Sequence, residues 1–250
     1  MKLSGNTILI TGGASGIGFA LTEELIKRGS KVLICGRRKE RLEQVKDRHP
    51  EIDFIQCDVT DKRQRIKLFE WATSHEGFNM LVNNAGIQRN YDFAITNTDE
   101  YDAGESEIDI NLKALIHLCE LFTPFLMTKA EAAILNISSS LGVIHMAEMP
   151  VYSATKAAVH AFSRCLREQL INSNVKIFEA LPPAVESELN PLGRVIEGPK
   201  KRMPADEYAI SVVEGLESDK YEINSKLVDN LGNKTLNEMY EQYGIFRNPH

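Results

Sequence analysis

Little in this chain is concentrated enough to mark an unusual class of protein. Four cysteines in 250 residues, Cys35, Cys57, Cys119 and Cys165, form no C-x-x-C pair and no cluster of metal-ligand spacing. That argues against a disulfide scaffold or a zinc module, and all four read as reduced core residues. No apolar run nears the ~18 residues of a membrane helix. The opening MKLSGNTILITGG has too short an apolar stretch for a signal peptide. Basic residues are not in excess: 29 Lys and Arg face 35 Asp and Glu, a net charge of −6. General nucleic-acid binding is therefore not expected, and the expectation is a cytoplasmic protein without membrane insertion. A hydrophobic content of 43% and a charged content of 26% are those of an ordinary globular protein with ample core.

What the chain does contain is alternation. Asn6 to Thr11 (NTILIT) is a short β-branched run, as expected of a strand buried on both faces. TGGASGIG follows, then FALTEELIKRG with helical periodicity and a closing Gly29. Strand, glycine turn and helix in that order are the context a dinucleotide loop requires. Gly12, Gly16 and Gly18 leave room where backbone approaches a pyrophosphate and where helix meets sheet; Ser15 and Ile17 share the turn. The helix's free N–H groups and dipole would face the phosphates. The spacing is G-x-x-x-G-x-G rather than G-x-G-x-x-G.

A second strand, KVLIC, ends where NAD-binding units carry an acid for the ribose hydroxyls. Here Cys35 and Gly36 are followed by Arg37, Arg38 and Lys39. Three cations at a helix start oppose the macrodipole, at roughly 0.3–1 kcal/mol each if exposed, and a bound 2′-phosphate would offset that cost. NADP(H) is expected in preference to NAD(H). The competing reading is a solvated charged face shared with Glu40 and Glu43.

Further along, a strand over Ile52 to Cys57 ends in Asp58-Val59, placed to border an adenine. An amphipathic helix follows, with Ile66, Phe69 and Trp71 toward the core. NMLVNNAG gives a fourth strand closing on Asn84, Ala85 and Gly86, small and polar as suits a ligand crevice. Ile87 to Glu105 reads as a surface loop, and Ile108 to Met127 as a helix carrying Asn111 on an apolar face. A buried Asn needs partners, either structural or a held water. Ala132 to Ile137 and Val175 to Ala180 are further strands. A loop over about 183–204 suits a lid. A helix over Asp206 to Glu217, a short strand ending at Asn224 and a helical segment over about 226–243 complete the chain. With no repeat or linker, the order of elements predicts one α/β domain over 1–250: a doubly wound parallel sheet of about seven strands, Rossmann-type.

The chemistry concentrates in Asn136 to Lys156, which ends in Tyr152-x-x-x-Lys156 at the start of a helix. A spacing of four puts phenol and ammonium on one helical face. Free tyrosine titrates near ~10, and a nearby positive charge would pull that value toward working range. Upstream, Ser139 follows an apolar strand, where a hydroxyl can bond a carbonyl oxygen. Taken alone, a Tyr and a Lys four apart arise by chance, and a tyrosine near a helix start is usually packing.

In order and spacing, residues 5–190 resemble the short-chain dehydrogenase/reductase family. TGGASGIG is similar to its cofactor turn, CDV to its adenine-side motif and NNAG to its central-strand motif; Asn111, Ser139, Tyr152 and Lys156 stand in its tetrad positions. The resemblance implies Tyr152 as general acid/base. Lys156 would lower its pKa and hold the nicotinamide ribose, Ser139 would orient the carbonyl, and Asn111 would hold a relay water. ICGRR, LVNNAGIQ and PVYSATKAAVHAF further resemble a bacterial subgroup of oxidoreductases. Two features depart from the family pattern. Its PGxxxT appears as Pro182-Pro183-Ala184-Val185-Glu186-Ser187, where proline stiffens the turn and removes an N–H; Pro182, Val185 and Ser187 remain the candidate nicotinamide-side contacts. The family's glycine-rich C-terminal strand is also absent beyond residue 219.

The leading expectation is an NADP(H)-dependent enzyme interconverting a small-molecule carbonyl and its alcohol. Alternatives are a non-catalytic dinucleotide-binding regulator and a sugar-nucleotide epimerase or dehydratase. No metal site is expected. Leu141, Val143, Ile144, Met146 and Met149 suggest an apolar substrate wall, and His145 a surface or packing residue. Surplus apolar residues on the helix from Ala154 to Leu170 suggest a homodimer, with a tetramer possible.

Overall fold

The computed structural model describes residues 1–91, 93–94, 107–187, 189, 202–224 and 229. Its strands are β1 (Thr7–Thr11), β2 (Lys31–Gly36), β3 (Asp53–Gln56), β4 (Phe78–Asn83), β5 (Ala132–Ile137), β6 (Val175–Leu181) and β7 (Glu222–Asn224). They form one parallel sheet in the order β3-β2-β1-β4-β5-β6-β7. Between them run helices α1 (Gly16–Lys27), α2 (Lys39–Arg48), α3 (Lys62–Thr73), α4 (Leu115–Leu126), α5 (Pro150–Gln169) and α6 (Ala205–Glu217). The expected architecture is the observed one.

Period two along the strands divides the core in two. Ile8, Ile10, Val32 and Ile34 face one layer with α1, α2 and α6. Leu9, Leu33, Leu81 and Ile134 face the other with α3, α4 and α5. All five residues of β1 are buried, which is why its sequence is a continuous apolar run rather than an alternating one. Strand order reverses between β1 and β4, so a crevice opens at their carboxyl ends.

Three expectations change. The helix over 108–127 is not uniform: Asp109–Ala114 is a π-helical turn that passes into α4. Such turns insert one extra residue and often mark functional sites, and this one carries Asn111. In α3, Ile66 is 37% exposed and Arg65 is buried in its place. Leu68 and Ala72 fix the helix phase, and Arg65, one turn before Leu68, satisfies its guanidinium on the carbonyls of Val59 and Thr60 and on His117 Nδ1. Of the cysteines, Cys165 is exposed, while Cys35 in β2 and Cys57, just past β3, are buried and free, with Cys57 N–H donating to the carbonyl of Gly36. The 226–243 segment lies outside the described residues except for Asp229, and much of the 183–204 loop does so too. No described helix is long and apolar enough to cross a membrane.

Candidate active site

The glycine turn and the end of β4 are clasped together. Thr11 Oγ1 accepts from the N–H groups of Asn84 and Ala85 at 2.9 and 3.0 Å, and Asn84 Nδ2 donates to the Thr11 carbonyl at 2.9 Å. Gly12 adopts a φ of +66° and Gly16 a φ of +52°, both in the left-handed region. A Cβ at Gly18 would overlap the Gly12 carbonyl and the Asn84 amide, so only glycine lets α1 approach the turn. Ser15 caps α1 without a side-chain capping bond, and the first turn holds no acidic residue. The positive end of the helix is thus left for an anion. Ile17 packs on the core below.

Arg38 reaches this turn from the end of β2: its Nη2 donates to Ser15 Oγ at 3.1 Å. Arg37 is exposed beside it. Asp58 Oδ1 accepts from both the N–H and the hydroxyl of Thr60 at 2.8 Å. Val59 is buried and borders a small pocket with Thr11, Ala85 and Ile110. Beyond β6, the Pro182 carbonyl accepts from Ser140 N–H at 2.9 Å, Val185 bridges to Met203, and Ser187 lies over Gly16. The Pro182-Pro183 departure therefore keeps the segment running from the Ser139 turn to the glycine turn. This cradle fits a dinucleotide: glycines where backbone must be bare, a helix N-terminus for phosphate, and an arginine at its edge.

Tyr152, Lys156, Ser139 and Asn111 converge at the carboxyl ends of β4 and β5, all buried. Pro150 at the start of α5 is suited to a first helical turn, which places Tyr152 and Lys156 on the face toward the sheet. The Ser139 hydroxyl favours ionisation of the Tyr152 phenol, and its Oγ accepts from Leu141 N–H. Lys156 Nζ donates to the Ile137 carbonyl at 2.8 Å and lies 5.6 Å from the centre of the Tyr152 ring. Asn111 Oδ1 accepts from Ile87 N–H, while Nδ2 donates to the Ile87 carbonyl and to Thr155 Oγ1. Asn111 Oδ1 and Lys156 Nζ both border the space beside Gly86.

Two properties of this group come from burial and packing. Burial pushes the Tyr152 phenol up to about 12, opposed by the Ser139 hydroxyl, and the Lys156 ammonium is itself desolvated and pulled down to about 8. The Asn111 side chain spends its donors and an acceptor on Ile87 and Thr155 and so holds the chain after Gly86.

Sequence reasoning missed two contributors. Gly142 lets the Ser139 turn pack on α5, for a Cβ there would lie 2.8 Å from the Lys156 carbonyl carbon and oxygen. Its signal was a glycine three residues past the serine. Glu107 is buried, accepts from Arg89 N–H at 2.9 Å, and its charge opposes ionisation of Tyr152. Nothing local in the sequence marks it, because the burial is created by the 87–91 segment folding over the π turn. In the expected apolar wall, Ile144 is buried, Leu141, Val143, Met146 and Met149 are half-buried, and His145 is exposed. Met149 Sδ receives a contact from the Gln88 amide.

The chain belongs to the short-chain dehydrogenase family, whose sequence profile matches residues 6–193, and it is an oxidoreductase that works with a nicotinamide dinucleotide. It is 42% identical, over 99% of its length and 100% of the relative's, to the uncharacterized oxidoreductase DltE of Bacillus subtilis (strain 168). In fold it is similar to a short-chain dehydrogenase from Burkholderia phymatum solved with NAD, at a TM-score of 0.83 and 20% identity, covering 100% of this chain and 98% of that one. A short-chain dehydrogenase from Sphingobium yanoikuyae solved with NADPH superposes with a TM-score of 0.78 at 24% identity, over 96% and 92% of the two chains.

Proposed function

We propose that this protein is an NADP(H)-dependent oxidoreductase that interconverts a small-molecule carbonyl and its alcohol, with Tyr152 as general acid/base. The observation that carries the reading is the convergence of buried Ser139, Tyr152 and Lys156 at the open end of the sheet, with Lys156 Nζ 5.6 Å from the centre of the Tyr152 ring. A bound nicotinamide dinucleotide would supply or accept the hydride. Gly12, Ser15, Gly16, Ile17 and Gly18 would hold its phosphates; Asp58 and Val59 would border the adenine; Asn84, Ala85 and Gly86 would floor the crevice, and Pro182, Val185 and Ser187 would flank the nicotinamide. Ser139 orients the substrate oxygen toward the phenol. Tyr152 delivers its proton to that oxygen on reduction and takes it back on oxidation. Lys156 stabilises the phenolate in that interval, even though burial alone disfavours it.

Preference for NADP(H) rests on Arg38 at the Ser15 hydroxyl and on the absence of an acid at the end of β2. A guanidinium grips a 2′-phosphate better than a ribose hydroxyl. We read the chain as a single domain. We further infer a cytoplasmic homodimer: Cys35 and Cys57 are buried and free, as suits a reducing compartment, and α5 exposes Ala154, Ala161 and Cys165 to a partner. The deciding experiment follows NADPH and NADH oxidation over a panel of carbonyl compounds. Turnover with NADPH that vanishes in Tyr152→Phe supports the assignment, and a fully active Tyr152→Phe enzyme overturns it.

A further inference from the structure

The turn from β3 into α3 is held by side chains of that helix's own beginning. Asp58 N–H donates to Gln64 Oε1 at 2.8 Å, and Asp61 caps α3 by accepting from the N–H groups of Arg63 and Gln64. Asp58 Oδ1 closes the turn on Thr60. The carbonyls of Val59 and Thr60 both go to one guanidinium: Arg65 Nη1 donates to each, at 3.0 Å for Thr60. Two consecutive peptide planes are thereby fixed, and with them the Val59 side chain at the pocket it shares with Thr11, Ala85 and Ile110.

Arg65 is itself buried, and Nε donates to His117 Nδ1 of α4 at 2.9 Å. A guanidinium has no acceptor, so this ring nitrogen carries a lone pair and the imidazole keeps its proton on Nε2. The three acceptors that Arg65 meets are uncharged. A protonated His117 would put an N–H where an acceptor is required and set cation against cation. Burial and the neighbouring guanidinium hold the ring below its ordinary value of 6.5; Glu120 of α4 opposes them, and Lys62 of α3 adds to them. Cys57, Asp61 of α3, Asp109 of the π turn and Asp58 bear on Arg65 in turn.

We propose that Arg65, with neutral His117 as its acceptor, is a positioning residue for the cofactor: it fixes the Asp58–Thr60 turn against which the adenine lies, without touching the dinucleotide. The proposal rests on the adenine placement given above. Adenine is common to both cofactors, so the loss should be common too, unlike a loss at the 2′-phosphate. At about pH 8, where imidazole is neutral, folded Arg65→Met should bind NADPH and NADH each about tenfold more weakly, read by quenching of protein fluorescence. A guanidinium that served stability alone would lower the melting temperature and leave both affinities in place, which would overturn the proposal. His117→Gln, which keeps an acceptor, should bind both cofactors as the unmodified protein does, whereas His117→Leu, which strands Arg65 Nε, should weaken both. Should Arg65→Met not fold, this pair decides, and equal affinities of the two variants refute the role. The His117 titration midpoint, followed by NMR without cofactor and assigned by His117→Gln, should lie below 6.5 and rise in Arg65→Met. An unchanged midpoint refutes the pairing. A raised midpoint with both affinities intact leaves the pairing standing and refutes the adenine placement, and the positioning role with it.

Discussion

Asn111 holds Ile87 by both of its backbone groups, accepting from the N–H and donating to the carbonyl, each at 2.9 Å. The chain leaving β4 is thereby pinned to the π turn just beyond Gly86. Replacing Asn111 by Leu leaves two half-buried backbone groups without these partners. The expected loss is about 2–4 kcal/mol of stability, since each orphaned group costs roughly 1–3 kcal/mol. Urea unfolding measures it; a loss under 0.5 kcal/mol (well below the roughly 1–3 of one orphaned group) would mean that water replaces the clasp. Activity should fall as well, because Gly86 borders Lys156.

Gly18→Ala tests the clasp at the other side of the crevice. The added Cβ would overlap the Gly12 carbonyl, which is backbone and cannot swing aside. Overpacking of this kind costs about 1–3 kcal/mol. The cofactor should bind at least tenfold more weakly, read by quenching of protein fluorescence. Undiminished binding would show that the turn relaxes freely.

The glycine loop was legible from sequence because its requirement is local: a bare backbone between a strand and a helix. Tyr152 and Lys156 were legible for the same reason, one helical turn apart. Glu107, Arg65 and Gly142 were not, since their meaning comes from partners remote in sequence, such as Arg65 with His117. The upward pull of burial on Tyr152 was not legible, because charge spacing can be read from the chain, whereas burial of both groups cannot.

Lys156 makes a prediction about stability and pH. Its folded value of about 8 lies below the unfolded value of 10.5. Charged Lys156 therefore destabilises the fold below pH 8, and the penalty lifts as pH rises from 8 toward 10.5. Between pH 8 and 9.5 the unmodified protein should gain about 2 kcal/mol from this group, at ~1.4 kcal/mol per unit. The window stops short of 10, where Tyr152, whose folded value is raised, begins to act in the opposite direction. Lys156→Met should lack the increment. Urea unfolding at the two pH values decides it, and parallel behaviour of the two proteins would contradict the burial.

Cofactor choice is separable from chemistry. Arg38 lies on Ser15, and Arg37 is exposed beside it. Replacing both by Ala removes the cations that would meet a 2′-phosphate, and charge-assisted bonds are the strong ones. NADPH affinity should fall at least tenfold, with NADH affinity changed by less than threefold. Equal affinity of the unmodified protein for both cofactors would sink the preference.

Assembly is tested at the outer face of α5. Val159, Phe162, Leu166 and Leu170 of that helix pack on the core of their own chain, so the apolar surplus is smaller than the sequence suggests. What remains outside is a row of small residues, Ala154, Ala161 and Cys165 exposed and Ala158 half-buried. Ile108 and Ile116, eight apart on the neighbouring helical segment, are 43% and 37% exposed. Small side chains let two helices approach closely, and a two-fold axis would set each row against its copy. A glutamate at Ala161 would then bring like charges together in a desolvated seam. Light scattering should report two subunits for the unmodified protein and one for Ala161→Glu, with the monomer's melting temperature lowered and dependent on concentration no longer. A native monomer would remove the interface. A tetramer unaffected by Ala161→Glu would move it to another face of the molecule.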